Sequence, residues 1–570
     1  MEATGTDTRK NEIKYEKSEL ELMTTYQLRE ICRREKIMNG VIHPLDKEEL
    51  IQTIMRYMGK RQDFFICDKK KGGEERVEEF LKKTRIVIKP CKELYCQSQI
   101  LAYEGLSIEY YDGYTIPYKK ELSGTNAFLM GSDMTLCAIL NLKEHGGRQE
   151  KLYLTKAAEL ETRETQRKDY RIFCMGRQNS ECMYHLYYGE QTILPEHIEV
   201  YSIPLIDFVV RKPVTLMLPM AIDFGSVNTT AGVYLDSAYF EHVGQQAAVK
   251  NCRENEINYT VFEDGAGESM LLPSVIGVLA VEEEDDKLLF GYDAIRLANA
   301  SYVDEGFCVF YDVKRWIGEY DKEEEIVDRQ GRRRLVKRAE ILRRFFLYII
   351  RKTENRFKCR ISQVHISSPV KQKHYFRRMF REILPEYMTD QETMLDEGMA
   401  VLYNTISNML EQETLEENEE YEALIIDCGG GTTDLCSYRF RIQDRRAAYK
   451  IYMETTYENG DTDFGGNNIT YRIMQILKIA LVRATGNQNV SSVKEILEYM
   501  DTDIYRFIDS HGVKAFYQYL EQEYQKAEET LPTRFADFER YNRSEYYKVK
   551  NNFYTCLLYT SPSPRDVEES

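Results

Sequence analysis

Two stretches of the chain, residues 222–233 (IDFGSVNTTAGV) and residues 425–435 (IIDCGGGTTDL), decide which fold is expected. Each is an apolar run that ends in an aspartate, Asp223 or Asp427, followed by a turn rich in glycine and hydroxyl residues. Such an aspartate suits Mg²⁺ binding through water, while the N–H groups of the turn point at phosphate oxygens. Because the stretches lie about 200 residues apart, they predict two similar lobes that clamp a nucleoside triphosphate.

These stretches resemble the phosphate motifs of the actin, sugar-kinase and heat-shock ATPase superfamily. Residues 222–233 are similar to the IDLGTTNS motif of DnaK-type heat-shock chaperones (the heat shock protein 70 family), and residues 425–435 resemble the other phosphate motif of that family. Four further segments resemble DnaK motifs and follow in the DnaK order: residues 311–318 (YDVKRWIG), 367–370 (SSPV, with Arg377 after it), 396–400 (DEGMA) and 459–467 (NGDTDFGGN). The matches span residues 217 to about 535, a little over half of the chain.

The resemblance implies an α/β fold in which residues 217–555 form a two-lobed, actin-like ATPase domain with duplicated ribonuclease-H-like lobes. Before this domain we expect a small helical module and a β-rich module. The family binds ATP or ADP with Mg²⁺, hydrolyses ATP slowly, and couples the nucleotide state to the binding of clients. The resemblance therefore implies a chaperone-type ATPase with co-chaperones, and with protein clients or partners bound through the N-terminal modules.

The residue types at the motif positions suit ATP hydrolysis, which requires charge neutralisation at the γ-phosphate and an oriented water. Asp223 and Asp427 are expected to hold hydrated Mg²⁺, and Lys314, whose family counterpart is catalytic, to face the γ-phosphate or the attacking water. Glu397 and Asp434 are expected to orient that water or the shell of the metal ion. The expected catalytic residues are Lys314, Glu397, Asp427, Thr432 and Asp434. The expected nucleotide-binding residues are Asp223, Gly225, Ser226, Val227, Asn228, Gly429, Gly430, Gly431, Thr432, Gly465 and Gly466.

The chain departs from the family pattern at several positions. Val227 replaces a threonine, and Gly398 replaces the proline after the motif glutamate. Glu528 and Glu529 stand where the family has a Lys-Arg pair that contacts adenosine, and Pro532 replaces a hydroxyl residue. These changes weaken the case for adenine recognition more than the case for phosphate recognition.

Residues 22–60 are predicted to form two short helices. Thr24 or Thr25 is placed to cap the first helix, and Asp46 with Glu49 makes a capping-box pattern for the second. The pair resembles the SAP module, a helix–extended–helix unit that often binds DNA. A helical hairpin used for protein contact is the alternative.

The other segments are predicted from composition and alternation. Residues 1–21 are polar and predicted to be disordered, and residues 61–79 are charged and predicted to be a linker. Residues 80–212 alternate apolar and polar side chains, which predicts a β-rich interaction module, a sandwich or barrel of six or more strands. One of these expected strands is MYHLYYGE, residues 183–190. Within the ATPase region, residues 335–357 are predicted to form an amphipathic helix.

Composition narrows the classes of function. The net charge of −17 argues against broad electrostatic binding to nucleic acid or to an anionic membrane. The 13 scattered cysteines and only 8 histidines indicate reduced thiols rather than disulfides or zinc. The N-terminus lacks the apolar core of a signal peptide, and no apolar run approaches the ~20 residues of a membrane helix. A cytoplasmic protein is therefore expected.

The end of the chain differs from what precedes it. Residues 556–570 contain CLLYTSPSPRDVE, which resembles translated sequencing-adaptor DNA joined to a reading frame. We expect the natural protein to continue past about residue 555, with the family's GGxxR adenosine turn and any peptide-binding domain beyond it. Two functional alternatives to a turning-over ATPase stay open: a nucleotide-dependent scaffold or switch with little or no turnover, and an actin-like filament.

Overall fold

The computed structural model covers most of the chain up to residue 466. It describes residues 15, 20–21, 23–34, 46–58, 63–145, 150–244, 246–264, 267–282, 286–299, 308–328, 330–369, 372–387, 396–444, 449–461 and 465–466. The adenosine-segment residues Glu528, Glu529 and Pro532, the tail at residues 556–570 and most of residues 1–21 lie outside the described residues, so the expectations for them remain predictions.

The described part of the chain is mixed α/β. Its helices are α1 (Thr25–Arg34), α2 (Lys47–Met58), α3 (Gly73–Lys83), α4 (Arg177–Tyr188), α5 (Ser237–Val243), α6 (Tyr292–Asn299), α7 (Arg338–Phe357), α8 (Lys373–Ile383) and α9 (Glu397–Glu411). The strands of the first half are β1 (Arg85–Lys89), β2 (Gln99–Tyr103), β3 (Thr115–Pro117), β4 (Thr125–Gly131), β5 (Leu136–Lys143), β6 (Lys151–Thr155), β7 (Tyr170–Met175), β8 (His197–Leu205), β9 (Asp207–Arg211) and β10 (Val214–Leu216). The remaining strands are β11 (Met220–Phe224), β12 (Asn228–Leu235), β13 (Glu256–Tyr259), β14 (Phe262–Glu263), β15 (Glu268–Ser269), β16 (Leu272–Pro273), β17 (Ile276–Ala280), β18 (Lys287–Phe290), β19 (Val309–Phe310), β20 (Glu323–Val327), β21 (Arg333–Lys337), β22 (Cys359–Ile361), β23 (Val364–Ile366), β24 (Tyr421–Cys428), β25 (Thr433–Asp444) and β26 (Tyr449–Asp461).

The chain divides into two compact units that interleave along the sequence. Unit 1 comprises Met1–Pro219, Gly232–Thr260 and Ile349–Ser362, and unit 2 comprises Met220–Ala231, Val261–Tyr348 and Gln363–Ser570. Strand β12 begins in unit 2, where it pairs with β16, and ends in unit 1, where it pairs with β13. Helix α7 passes from unit 2 into unit 1 in the same way.

The predicted helix pair at the N-terminus is confirmed. Thr24 caps α1, and Asp46 and Glu49 exchange reciprocal bonds at the start of α2: the Glu49 N–H donates to Asp46 Oδ1 (2.8 Å) and the Asp46 N–H donates to Glu49 Oε2 (3.1 Å). The two helices bury one apolar face each against the other. The buried residues are Leu20, Leu28, Ile31, Cys32, Leu50, Ile51 and Ile54.

Unit 1 is built on a curled seven-stranded sheet with the order β1-β8-β7-β4-β5-β6-β3. Strand β1 pairs with β8 in parallel and the other neighbours are antiparallel. Every residue of the central strand β4 is buried, because its alternate side chains enter two different cores. Phe128 and Met130 pack with α3 and α4, whereas Ala127 and Leu129 pack with β2 and β9.

One strand expected in this module is a helix. Residues 183–188 belong to α4, not to a strand. Met183 and Tyr187, four residues apart, are both fully buried against the sheet, which is the spacing of one helix face. Tyr184, Leu186 and Tyr188 also fit a period of two, so alternation alone predicts a strand here, and that prediction is wrong.

Unit 2 holds residues 222–231 of the first motif stretch and all of the second. Strand β11 pairs in parallel with β23 and is seated by aromatic packing: the ring of Phe224 lies 5.0 Å from Phe346 of α7, which lies 4.8 Å from Phe380 of α8. The helix predicted over residues 335–357 is confirmed from residue 338 onward as α7, whereas residues 335–337 belong to β21. Strands β24, β25 and β26 form an antiparallel sheet, and α9 packs on one face of it.

Within the described residues, no helix combines the length and apolar character that crossing a bilayer requires.

Candidate functional site

Both motif stretches form the same local structure. After Asp223, the Gly225 N–H donates to the Asn228 carbonyl (3.0 Å), which closes the turn between β11 and β12. After Asp427, the Gly429 N–H donates to the Thr432 carbonyl (2.9 Å), which closes the turn between β24 and β25. In each hairpin the aspartate is the second-last residue of the first strand. The similarity of the two sequences therefore extends to the geometry of their turns.

The first turn is held by a serine that the sequence motifs did not include. Ser274 is fully buried; its hydroxyl donates to the Gly225 carbonyl (2.7 Å) and its N–H donates to the Val227 carbonyl (2.7 Å). The Thr229 hydroxyl lies 2.9 Å from the Ser274 hydroxyl. These bonds use the carbonyl groups of Gly225 and Val227 and hold the turn against Ser274.

The glycines of the second turn lie against side chains of the first turn. A Cβ atom at Gly431 would lie 2.6 Å from Ser226 Oγ, and a Cβ atom at Gly430 would lie 2.1 Å from Val227 Cγ2. Side chains at these glycines would fill the space between the turns. Glycine is therefore required here by the approach of another segment, which the motif alone did not show.

The third glycine-rich segment reaches the same place. The Gly466 N–H donates to the Gly429 carbonyl (2.9 Å), and a Cβ atom at Gly465 would lie 2.7 Å from that carbonyl oxygen. The segments that contain Gly225–Val227, Gly429–Gly431 and Gly465–Gly466 thus come together.

A buried ion pair lies beside the turns. Lys314 Nζ is 2.8 Å from Glu397 Oε1, and the two side chains are only 5% and 11% exposed. Lys314 lies in the 3-10 segment Val313–Glu319, and Glu397 is the first residue of α9. The N-terminus of α9 is capped by Asp396, which accepts the Met399 N–H (2.7 Å).

The carboxylates near this pair influence one another. The pKa of Glu397 is raised from 4.5 to about 7: burial is the main cause, Lys314 opposes the rise, and Asp223 and Asp427 contribute to it. Burial also raises the pKa of Asp427, again with Asp223 adding to the rise and Lys314 opposing it. Three carboxylates that share one ammonium group suit a hydrated divalent cation, because added positive charge relieves their repulsion. Across the described ranges, no three His, Cys, Asp or Glu side chains converge as direct metal ligands.

The position of Glu397 depends on a glycine and a tyrosine. A Cβ atom at Gly398 would lie 2.9 Å from Cys436 Sγ and 3.0 Å from the Tyr438 hydroxyl oxygen, so only glycine lets the first turn of α9 approach β25 this closely. The buried Tyr438 hydroxyl donates to Asp396 Oδ1 (3.1 Å). Glycine at position 398 therefore has a packing reason in this chain.

Asp434 shares a sheet face with Asp427, because the two residues are directly paired across β24 and β25. On its other side Asp434 faces Gly460 of β26, where a Cβ atom would lie 2.2 Å from Asp434 Oδ1. The side chain is buried. The glycine in the NGD segment therefore makes room for the carboxylate that the motif predicted to be functional.

The SSPV segment connects the site to β23. The Ser367 hydroxyl donates to Asp223 Oδ1 (3.2 Å), and the Glu397 N–H donates to the Ser368 carbonyl (3.0 Å). Asp312 was not predicted, yet it is buried, accepts a bond from Arg315 Nε (2.6 Å) and lies beside Gly431.

For two predicted residues the structure shows a backbone role. Asn228 and Thr432 contribute the carbonyl groups that close the two turns. The roles expected for their side chains stay predictions.

Comparison with models of known protein families finds none that matches this chain, and comparison with curated proteins finds no similar sequence.

Proposed function

We propose that unit 2 binds the phosphate groups of ATP or ADP, with Mg²⁺, at the turns Gly225–Val227 and Gly429–Gly431, and that it hydrolyses ATP slowly, as a DnaK-type chaperone ATPase does. The observation that carries the proposal is the pair of equivalent turns. Each follows an aspartate, each is closed by the same N–H···O bond, and each faces the other. Neighbouring N–H groups of such turns form a concave anion site.

The chain's own residues supply the other requirements of hydrolysis. Mg²⁺, when bound through water to Asp223 and Asp427, neutralises phosphate charge. The Lys314 ammonium lies beside these carboxylates and supplies the positive charge for the γ-phosphate. Glu397, with a pKa of about 7, can accept a proton from the attacking water near neutral pH.

In the wider proposal, the nucleotide state controls the binding of clients, partners or co-chaperones, with the N-terminal modules as the docking parts. We also propose that the protein is cytoplasmic and has no nucleic-acid partner. These proposals rest on the negative charge and the cysteine usage.

A nucleotide-dependent scaffold or switch with little turnover is the second candidate. It is favoured by the ion pair between Lys314 and Glu397 at 2.8 Å, because Lys314 must leave Glu397 before it can reach a phosphate. It is also favoured by the packing of Val227 against Gly430, which closes the turns on each other.

Calorimetric titration with ATP and ADP, with and without Mg²⁺, tests the proposal. We expect the wild type to bind both. Asp427→Asn should lose at least about tenfold in affinity, as expected for the loss of a charge-assisted contact. Gly431→Ala should also lose at least about tenfold, because its methyl group would lie 2.6 Å from Ser226 Oγ and fill the space between the turns. Gly267→Ala is the matched glycine control, because no atom lies near the added methyl group. Absence of binding by the wild type would contradict the proposal.

Single-turnover hydrolysis separates the two candidates. We expect Lys314→Ala to keep nucleotide binding and to lose hydrolysis. Tight binding by the wild type without any hydrolysis would favour the scaffold instead.

A further inference from the structure

Unit 1 contains a cavity of about 210 Å³ that is separate from the phosphate turns. It lies on the face of the seven-stranded sheet where Asn141 and Lys143 of β5 and Thr155 of β6 point, with Asn141 and Thr155 directly paired across the two strands. The volume corresponds to about seven water molecules at roughly 30 Å³ each. It therefore has room for a small metabolite and not for a nucleotide.

Two buried polar atoms at this cavity lack partners. Asn141 is 1% exposed and Ser107 is 6% exposed, and neither Asn141 Oδ1 nor Ser107 Oγ has a hydrogen-bond partner among the residues that the structure describes. Their other groups are occupied: Asn141 Nδ2 donates to Cys67 Sγ (3.2 Å), and the Ser107 N–H donates to Asn355 Oδ1 (2.9 Å). Buried polar atoms are normally satisfied, so these two indicate that a ligand supplies the missing partners.

The cavity also contains a buried cation. Lys156 is 3% exposed, and its ammonium donates to the carbonyl groups of Ala157 and Leu160. Within the described ranges no carboxylate lies at ion-pair distance from it, and burial lowers its pKa to about 8. A buried ammonium group of this kind is stabilised by an anionic partner.

The charged lining carries both signs. Lys143 and Lys156 line the cavity together with Glu109 and Glu159. A simple anion would meet the two carboxylates, and a simple cation would meet the two ammonium groups. A molecule with both charges satisfies both sets.

We infer that this cavity binds a small zwitterion of the α-amino-acid type. Its carboxylate pairs with Lys156, and its ammonium donates to Asn141 Oδ1 and faces Glu109. The Ser107 hydroxyl completes the polar contacts. The volume selects small side chains and excludes large aromatic ones.

Isothermal titration of the full chain tests the inference, with L-serine and L-alanine as zwitterionic probes. We expect L-serine to bind with a Kd on the order of 1 mM, as suits a ligand of this size. Acetate and methylammonium, which each carry one of the two charges, should bind at least about tenfold more weakly, and L-tryptophan should not bind. Asn141→Leu and Ser107→Ala should each weaken L-serine binding by about tenfold, because each removes one hydrogen bond from a buried contact.

Lys151→Met is the matched control, since Lys151 is an exposed lysine of the same strand β6. It should bind L-serine as the wild type does. If Asn141→Leu fails to fold by circular dichroism, the milder Ser107→Ala still tests the site.

Three results would overturn the inference: no binding of either zwitterion, which means that the cavity holds water only; equal binding of acetate and L-serine; or unchanged binding in both cavity variants. The nucleotide titrations are independent of these measurements, so failure of one proposal leaves the other standing.

Discussion

Glu397→Gln should remove a large pH dependence from the stability of unit 2. The raised pKa means that the folded state holds the Glu397 proton more tightly than the unfolded chain does. The contribution of this proton to stability is therefore fully present below about pH 4.5 and is lost as the pH rises through about 7. Raising the pKa from 4.5 to about 7 corresponds to about 3 kcal/mol, since a tenfold change in proton affinity is about 1.4 kcal/mol. Glutamine does not titrate, so the unfolding free energy of the variant should not decrease in this way as the pH rises.

The assay is urea unfolding at about pH 5 and about pH 8. Trp316 is the single tryptophan of the chain, is 2% exposed, and lies in the same 3-10 segment as Lys314, so its fluorescence reports on this unit. Between the two pH values, the unfolding free energy of the wild type should fall by about 2.5 kcal/mol more than that of Glu397→Gln, because at pH 5 a small part of the full effect is already lost. The comparison concerns the pH dependence, because the absolute stability of the variant also contains the cost of leaving the Lys314 ammonium without its partner.

Glu411→Gln is the matched control, because Glu411 is an exposed glutamate at the other end of α9. It should keep the pH dependence of the wild type. If Glu397→Gln and the wild type lose equal stability between the two pH values, Glu397 does not hold its proton as the burial of its carboxyl implies, and its role as a proton acceptor near neutral pH fails with it.

Three further substitutions test contacts inside unit 2 and inside unit 1. Gly398→Ala should destabilise unit 2 by about 1–3 kcal/mol, because the added methyl group has no room beside β25, and urea unfolding followed by Trp316 fluorescence measures this. Tyr438→Phe should cost about 1 kcal/mol by removing the bond to Asp396, and an unchanged urea midpoint would refute that bond. In unit 1, Lys358→Met should lower the stability by about 3–5 kcal/mol, because it leaves Asp112 buried without its partner at 2.8 Å. Unfolding followed by circular dichroism should show that the double variant Lys358→Met/Asp112→Asn regains part of this stability. If the double variant regains none, the loss of the ion pair is not the cause.

The elements that the sequence predicted well are those whose signals are local. The reciprocal cap of Asp46 and Glu49 and the Thr24 cap join residues three positions apart, so residue type and spacing suffice to place both helices. The hairpin turns after Asp223 and Asp427 are closed within three residues. The helical assignment of residues 183–188 was missed because the burial of Met183 and Tyr187 against the sheet, which selects the helix, is a tertiary contact.

In the candidate site, too, local motifs identify some of the residues, and only the tertiary structure identifies the others. The site's glycines, its lysine and four of its carboxylates could be selected from the motifs, but Ser274 could not. Ser367 and Asp312 lie in motif segments that did not assign them a role. The bonds of the two serines to the site run to residues far away in the chain, as in the 49 positions between Ser274 and Gly225 and the 144 positions between Ser367 and Asp223. Neither serine lies in a pattern that predicts such a partner.

The sequence by itself determined two aspartate-to-glycine hairpins, their turns and the capped helices near the N-terminus, since all of these depend on hydrogen bonds between residues close in the chain. Only the tertiary structure decided which charges meet. Lys314 and Glu397 are 83 residues apart, and it is the burial of Glu397 near Asp223 and Asp427 that raises its pKa, against the opposing charge of Lys314. Burial and charge proximity are properties of packed segments, and packing joins residues whose separation in the sequence carries no information about their distance in space.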